Sequence, residues 1–463
     1  MAMKPITLEK IAEVTGGTYT GAPELASRLI TGVVRDNREV LPGNLFACIV
    51  GERADGHSFA NSAFAAGAAA CLAEKPIESA KGPYILVKST LTALQELAAY
   101  YRSLFDIPIV GITGSVGKTT AKEMTASALS ARYNVLRTPA NLNNELGVPL
   151  TLLSLHEEHE AAVIEMGISE FGEMSLLARL VRPDITVMTN IGYCHLESLG
   201  DLPGVLRAKS EVFGYMAPGS AAVLNGDDEL LRAYDPGHGI EKLTFGCGEN
   251  NYCRAENITL DGSDGVSCDV VCEGRSLHLD IPAFGSHMAL GALPAVIVAR
   301  RLGLSDEEIA RGIASYRAVG GRANVIDTGC LRIINDCYNA NPNSVSASLL
   351  SLCTLSCRRV AILGDMKELG RDSAKLHFGI GELAAEKGVD CLICVGPEAR
   401  LIGEGFAAAK TGRPVYCFAE KSELLQLLPS LIKYGDAVLV KASHSMEFGE
   451  IVSALSELGC VSL

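Results

Sequence analysis

The chain has 463 residues, with 40 Lys+Arg against 54 Asp+Glu, a formal net charge of −14, and 48% hydrophobic and 20% charged residues. This is globular usage, which excludes a disordered chain, and at ~150 residues per domain the length allows about three domains. The acidic balance, with no polybasic tract to offset it, excludes sequence-independent binding to nucleic acid or an anionic membrane.

The first segment, 1–87, starts without the apolar core of a signal peptide. A helix is expected over 7–14, capped by Thr7 and stopped by Gly16-Gly17. A turn at Pro42-Gly43-Asn44 precedes the apolar run 45–50, which reads as a small α/β module. The Ala- and Gly-rich stretch 59–72 is too short to span a bilayer. A soluble, cytoplasmic protein is expected. The 15 cysteines fit a reducing compartment and read as buried free thiols. Cys391-x-x-Cys394 has no second pair at zinc-ribbon spacing.

In the second segment, 88–315, Leu91, Leu94, Leu97, Ala98, Tyr101 and Leu104 recur at helical spacing. A short strand over 107–112 enters a Gly-rich loop, and a helix over 119–131 leaves it. Apolar strands follow at 161–164 and 185–188, the alternation of a parallel sheet covered by helices. Short runs over 243–281 read as a small β insert, and 289–302 as a helix despite Pro294. The last segment, 316–463, alternates strands (331–334, 359–363, 389–395, 437–440) with helices (373–387, 422–433, 446–458), a second doubly wound domain.

The strongest chemical signal is the run from Gly111 to Thr120, GITGSVGKTT, between a strand and a helix. Backbone N–H groups in such a loop wrap phosphate oxygens, with Lys118 on the β/γ-phosphates and Thr119 on Mg2+. Ile112 stands where the strict phosphate-loop pattern has Gly. Glu165 ends an apolar strand; it is either a Mg2+ ligand or a solvated strand-end acid. By themselves, His195 reads as an ordinary loop residue and Lys209 as a helix-surface lysine. The run Asn141-Leu142-Asn143-Asn144 is either a turn or a polar substrate lining. Asp336 to Pro342 (DCYNANP) and Gly364 to Gly370 (GDMKELG) follow strand ends, where open α/β sheets place ligand contacts, or else are loop and cap chemistry.

Taken in order, these runs resemble the Mur ligase family over nearly the whole chain. Its general marks are TGSVGKTT, the strand-end Glu165, Thr-Asn-Ile before His195, Ala208-Lys209, and Gly285-Ser286-His287. NLNNELGVP (141–149), NDCYNANP (335–342) and GDMKELG resemble the member that adds D-alanyl-D-alanine to UDP-N-acetylmuramoyl tripeptide. The family's tripeptide-forming ligase has an Asp-Asn-Pro-Arg run that is missing here, and folylpolyglutamate-synthase-like ligases lack the long first segment.

The resemblance implies an α/β chain of three domains: a UDP-sugar module (1–87), a central phosphate-loop domain (88–315) and a Rossmann-like domain (316–463). It implies an ATP- and Mg2+-dependent amide ligase working through an acyl phosphate, as a monomer. Lys118 would bind phosphate, Thr119 and Glu165 a Mg2+, and His195 with a carbamylated Lys209 a second Mg2+. Arg322 would steady the transferring phosphate and Asp336 the ribose. Gly114, Ser115, Val116, Gly117, Thr120, His287 and Asn339 would complete the nucleotide site. Arg35, Asp36, Asn37, Arg38, Asn141, Asn143, Asn144 and Asn341 would bind substrate. The sequence departs from the family pattern at Asn37, Tyr193-Cys194, Gly291 and His444.

Overall fold

A computed structural model describes residues 3–51, 54–237, 239–261 and 265–458. Its α/β elements form three main sheets along the chain. The first has five strands, from Thr18–Thr20 to Tyr84–Leu86, and the central one nine, from Ile109–Thr113 to Arg275–Ile281. The third has six, from Asn324–Asp327 to Ala437–Lys441.

The opening helix, Leu8–Thr15, begins where Thr7 accepts a hydrogen bond from the Lys10 N–H and ends at left-handed Gly16. The helix Thr90–Arg102 starts at Ser89 and buries Leu94, Leu97, Ala98 and Tyr101. Each such leucine removed from water contributes about 1.5–3 kcal/mol. These two helices join the first and central units into one apolar core, which runs from Leu8 and Leu45 through Leu97 to Ile164 and Leu224. Tyr101 pins this junction: its hydroxyl accepts from the Lys4 N–H at 2.6 Å and donates to the Leu155 carbonyl at 2.6 Å.

In the central sheet, strand Ile109–Thr113 lies between Ala161–Glu165 and Ile185–Met188, all parallel. The β stretch expected over 243–281 is built into the central sheet. Strand Glu241–Gly246 joins the parallel sheet, Cys253–Asp261 extends it, and Gly265–Cys272 and Arg275–Ile281 add an antiparallel edge. Alternation of apolar and polar residues marks only the last two of these strands, and strand pairing depends on contacts that alternation does not specify. The helix His287–Arg301 carries Pro294 without breaking and packs its apolar side on this sheet.

The third sheet is parallel except for the edge strand Asn324–Asp327. That strand, the helix Ala399–Ala408 and the strand Val415–Phe418 are not among the expected elements. Among the described residues thirteen cysteines are free thiols, while Cys330 is disulfide-bonded, unlike the all-thiol expectation. Cys391 and Cys394 lie in cores on opposite faces of the sheet. The neighbour of Cys394 is Cys417 on the adjacent strand, so the C-x-x-C spacing forms no chelate.

Candidate functional site

The phosphate-type loop leaves strand Ile109–Thr113 and enters helix Lys118–Leu129. Gly114 has φ +136°, and a Cβ there would fall 2.0 Å from Thr189 Oγ1, so only glycine fits. Asn190 braces the loop. Its carbonyl accepts from the Ser115 N–H at 3.0 Å and its side-chain oxygen from the Val116 N–H at 2.9 Å. The first intrahelical bond runs from the Ala121 N–H to the Gly117 carbonyl. The free N–H groups that any helix start carries therefore fall on Gly117 to Thr120, a donor cluster suited to phosphate. Lys118 folds back, donating to the carbonyls of Gly114 at 2.9 Å and Ser115 at 3.3 Å, and burial lowers its pKa.

Glu165 stands beside this loop, 1% exposed at the end of its strand. It is not a solvated acid: Oε2 accepts from the Thr119 hydroxyl at 2.9 Å and Oε1 from Asn143 Nδ2 at 2.8 Å. Fully buried Lys122, three residues after Thr119, lies 3.9 Å from Glu165 Oε2. It donates to the Thr138 carbonyl at 2.8 Å and pairs with Glu123 at 2.8 Å. The sequence reading passed over Lys122; its place one helical turn from Thr119 was the available signal.

The Asn-rich run makes a turn and also faces the cavity. Asn144 Oδ1 accepts from the Gly147 N–H at 2.9 Å and so shapes a turn, while Asn141, Asn143 and Asn144 line the cavity. His195 begins a short helix, Leu196–Leu199, with φ +50°, and its Nδ1 lies 2.5 Å from Glu368 Oε2. Burial lowers the His195 pKa against the opposing pull of Glu368. Lys209 is not a surface residue: it is 1% exposed in helix Leu202–Ser210, and burial pushes its pKa down to about 8.

The third unit supplies the opposite wall. The Arg322 guanidinium stacks 3.9 Å from the centre of the Tyr338 ring. Asp336 Oδ1 accepts from the Ala323 N–H at 3.0 Å. Its Oδ2 accepts from the Ser348 hydroxyl at 2.6 Å and from Lys441 Nζ at 2.5 Å. Asn339 Oδ1 accepts from the Ala340 N–H at 2.9 Å. Asn341 Oδ1 caps helix Pro342–Leu352. His287 is paired through Nδ1 with Ser351 at 3.1 Å, and burial lowers its pKa. Gly291 lies where a Cβ would be 3.1 Å from Thr120 Cγ2, against the phosphate-loop helix.

A cavity of about 330 Å³ gathers Ser115 to Lys118, Thr120, Glu165, His195, His287, Arg322, Asp336, Asn339, Asn341 and Lys441. Its lining does not include Arg35, Asp36, Asn37, Arg38, Gly114, Thr119 or Lys209. Thr119 reaches it through Glu165. The Arg35–Arg38 segment lies in the first unit. There Asp36 caps a short turn and pairs with Arg38 at 2.6 Å, which holds its carboxyl down at about 2, and Asn37 donates to Ser62 at 3.2 Å.

Among the described residues, no three His, Cys, Asp or Glu side chains converge as a metal cage. A hydroxyl and one carboxylate are nevertheless what a Mg2+ shared with phosphates takes from a protein. Chemically, the cavity joins phosphate donors, a buried carboxylate and cations from two units.

Comparison with known proteins agrees with this reading. Family models match along the chain: "Mur ligase family, catalytic domain" at 29–102, "Mur ligase middle domain" at 112–299 and "Mur ligase, glutamate ligase domain" at 321–444. The chain is 35% identical to a UDP-N-acetylmuramoyl-tripeptide--D-alanyl-D-alanine ligase of Bacillus subtilis, over 97% of this chain and 98% of that one. It superposes on MurF of Acinetobacter baumannii with a TM-score of 0.90 at 31% identity, covering 99% and 100% of the two chains. For MurF of Thermotoga maritima in complex with ADP, the TM-score is 0.82 at 28% identity, covering 92% and 97%.

Proposed function

The chain belongs to the Mur ligase family and is an ATP-dependent ligase, and we propose that it joins D-alanyl-D-alanine to the terminal carboxylate of UDP-N-acetylmuramoyl tripeptide. The observation that carries this reading is the single cavity in which the phosphate loop and Glu165 meet Arg322 and Asp336 of the third unit. The near full-length likeness to D-alanyl-D-alanine ligases supports the choice of substrates.

A free carboxylate resists attack by an amine. The γ-phosphoryl group is therefore first moved from ATP to a carboxylate oxygen, giving an acyl phosphate and ADP. The dipeptide amine then adds to the acyl carbon, loses a proton, and expels phosphate as the amide forms. Lys118 and the N–H groups of Gly117 to Thr120 hold the phosphates and offset their charge. Arg322, oriented on Tyr338, reaches the same cavity and steadies the phosphoryl group in transit. Asp336, fixed by Lys441 and Ser348, accepts from the ribose through the free capacity of Oδ1. Asn141, Asn143, Asn144 and Asn341 offer uncharged donors and acceptors to the peptide, while Arg35 to Arg38 serve the UDP end. His287 and Asn339 border the nucleotide.

Thr119 and Glu165 fit a Mg2+, as do His195 and Lys209 a second, since the buried amine of Lys209 would become an anionic ligand on carbamylation. Bound Mg2+ would supply neutralisation of phosphate charge. The third unit shields the acyl phosphate from water. We assign the UDP-sugar role to 1–87, the ATP role to 88–315 and the closing role to 316–463, all within one chain, so a monomer suffices. Among the described residues no helix is long and apolar enough to cross a membrane, which suits a cytoplasmic site of action.

The test is phosphate release from ATP and Mg2+ with the UDP-linked tripeptide, with and without D-alanyl-D-alanine, and mass analysis of the product. Release that needs both substrates, together with a joined pentapeptide, is expected. Folded protein that binds ATP yet forms no pentapeptide would overturn the reading.

A further inference from the structure

The His195 ring is held from outside its own unit. Its Nδ1 lies 2.5 Å from Oε2 of Glu368, which follows a strand of the third sheet in the run GDMKELG. A carboxylate only accepts, so the proton sits on Nδ1 and the Nε2 lone pair remains for the cavity that His195 lines. The backbone reinforces this contact. The Leu196 N–H donates to the Glu368 carbonyl at 3.0 Å. Both His195 (φ +50°) and Glu368 (φ +64°) adopt left-handed backbone, which non-glycine residues keep only where surroundings over-determine it. A second tie runs alongside: the Tyr193 N–H donates to Asn343 Oδ1, also of the third unit, at 3.2 Å.

We propose that Glu368 is a positioning residue, a carboxylate brace that fixes the tautomer and direction of the His195 imidazole only while the third unit is packed against the central one. Glu368 is absent from the cavity lining and acts through His195. Closure of the third unit then does two things at once. It brings Arg322 to the phosphates and sets His195 for its role there, so a site left open is also left unassembled. The inference rests on the reading that His195 works at the phosphate site, but the brace itself has a readout that needs no turnover.

The test compares Glu368→Ala with Glu368→Gln in the full chain. The glutamine keeps an oxygen that accepts from Nδ1–H. Glu368→Ala is expected to lower kcat about 10- to 100-fold, the usual scale for losing a group that orients a functional histidine. KM for ATP should stay within about threefold, since phosphate contacts remain, and Glu368→Gln should recover most of the rate. Hydrogen exchange of the unliganded protein gives the second readout. Residues 193–199 should exchange faster in Glu368→Ala and at the wild-type rate in Glu368→Gln, with the central strands unchanged. Wild-type kcat and wild-type exchange in Glu368→Ala would overturn the brace. So would equal losses in both variants together with lowered thermal stability, which would mark a merely structural contact. A wild-type chain without ligase turnover would overturn the functional reading instead, and the exchange comparison would still decide the brace.

Discussion

Thr119 donates its hydroxyl to Glu165 Oε2 across 2.9 Å, binding the first turn of the phosphate-loop helix to the end of the neighbouring strand. Both side chains are buried, so the pair is ordered before any ligand arrives. Thr119→Val, which replaces the hydroxyl by a methyl group, and Glu165→Gln should each cut phosphate release by about 100-fold, the scale of losing one charge-stabilising contact at a transition state. The concentration of Mg2+ for half-maximal rate should rise in both, and chelation by EDTA should stop the wild-type reaction. Unchanged Mg2+ dependence in Glu165→Gln would show that the carboxylate does not serve the metal.

Lys209 presents a buried amine whose pKa is pushed down to about 8 by desolvation. More of it is neutral at physiological pH than an exposed lysine, and the neutral amine is the form that takes up CO2. Lys209→Ala should abolish turnover. Wild-type protein stripped of CO2 at low pH should regain activity when bicarbonate is added after neutralisation, while the variant should not. Near-normal rates in Lys209→Ala would refute the assignment.

Gly147 sets the position of the Asn-rich run through packing. A Cβ at Gly147 would lie 2.4 Å from the carbonyl carbon of Leu142, a backbone atom that can yield only by moving its segment. Gly147→Ala should cost about 1–3 kcal/mol, the range for overpacking, seen as a lower midpoint of thermal unfolding. Displacing Asn141 and Asn143 should raise KM for the UDP-linked tripeptide more than KM for ATP.

Cys417 is exposed on the second edge strand of the third sheet, Val415–Phe418, and the thiol of its cross-strand neighbour Cys394 lowers its pKa to about 7. The thiolate is the reactive form, so a lowered pKa moves reactivity to lower pH. Alkylation of Cys417 by iodoacetamide should be half-maximal near pH 7, whereas a free cysteine does so at ~8.5. Cys394→Ala should shift the Cys417 midpoint upward; a midpoint that stays put would dismiss the neighbouring thiol as its cause.

Local order was legible in the sequence wherever its causes lie within a turn or two of chain. Thr7 and Gly16 bound the first helix, helical spacing marked the face that holds Leu97 and Tyr101, and the order strand, glycines, Lys118, helix specified the phosphate loop. Motif order carried the family and the reaction class as well. Partnerships between distant residues were not legible. Lys209 has the spacing of a surface lysine and is 1% exposed, because the packing of the central unit encloses it. Asp336 and Lys441 are 105 residues apart and share a 2.5 Å contact, and the Glu368 that holds His195 comes from another unit. Periodicity, caps and glycine turns act through short-range sterics and hydrogen bonding, so the amino-acid sequence alone determined the elements and the phosphate-binding motif. Which face became core, which strands extended the central sheet, and which charges met across the cavity were decided by tertiary packing, since burial and long-range pairing exist only once the three units are folded together.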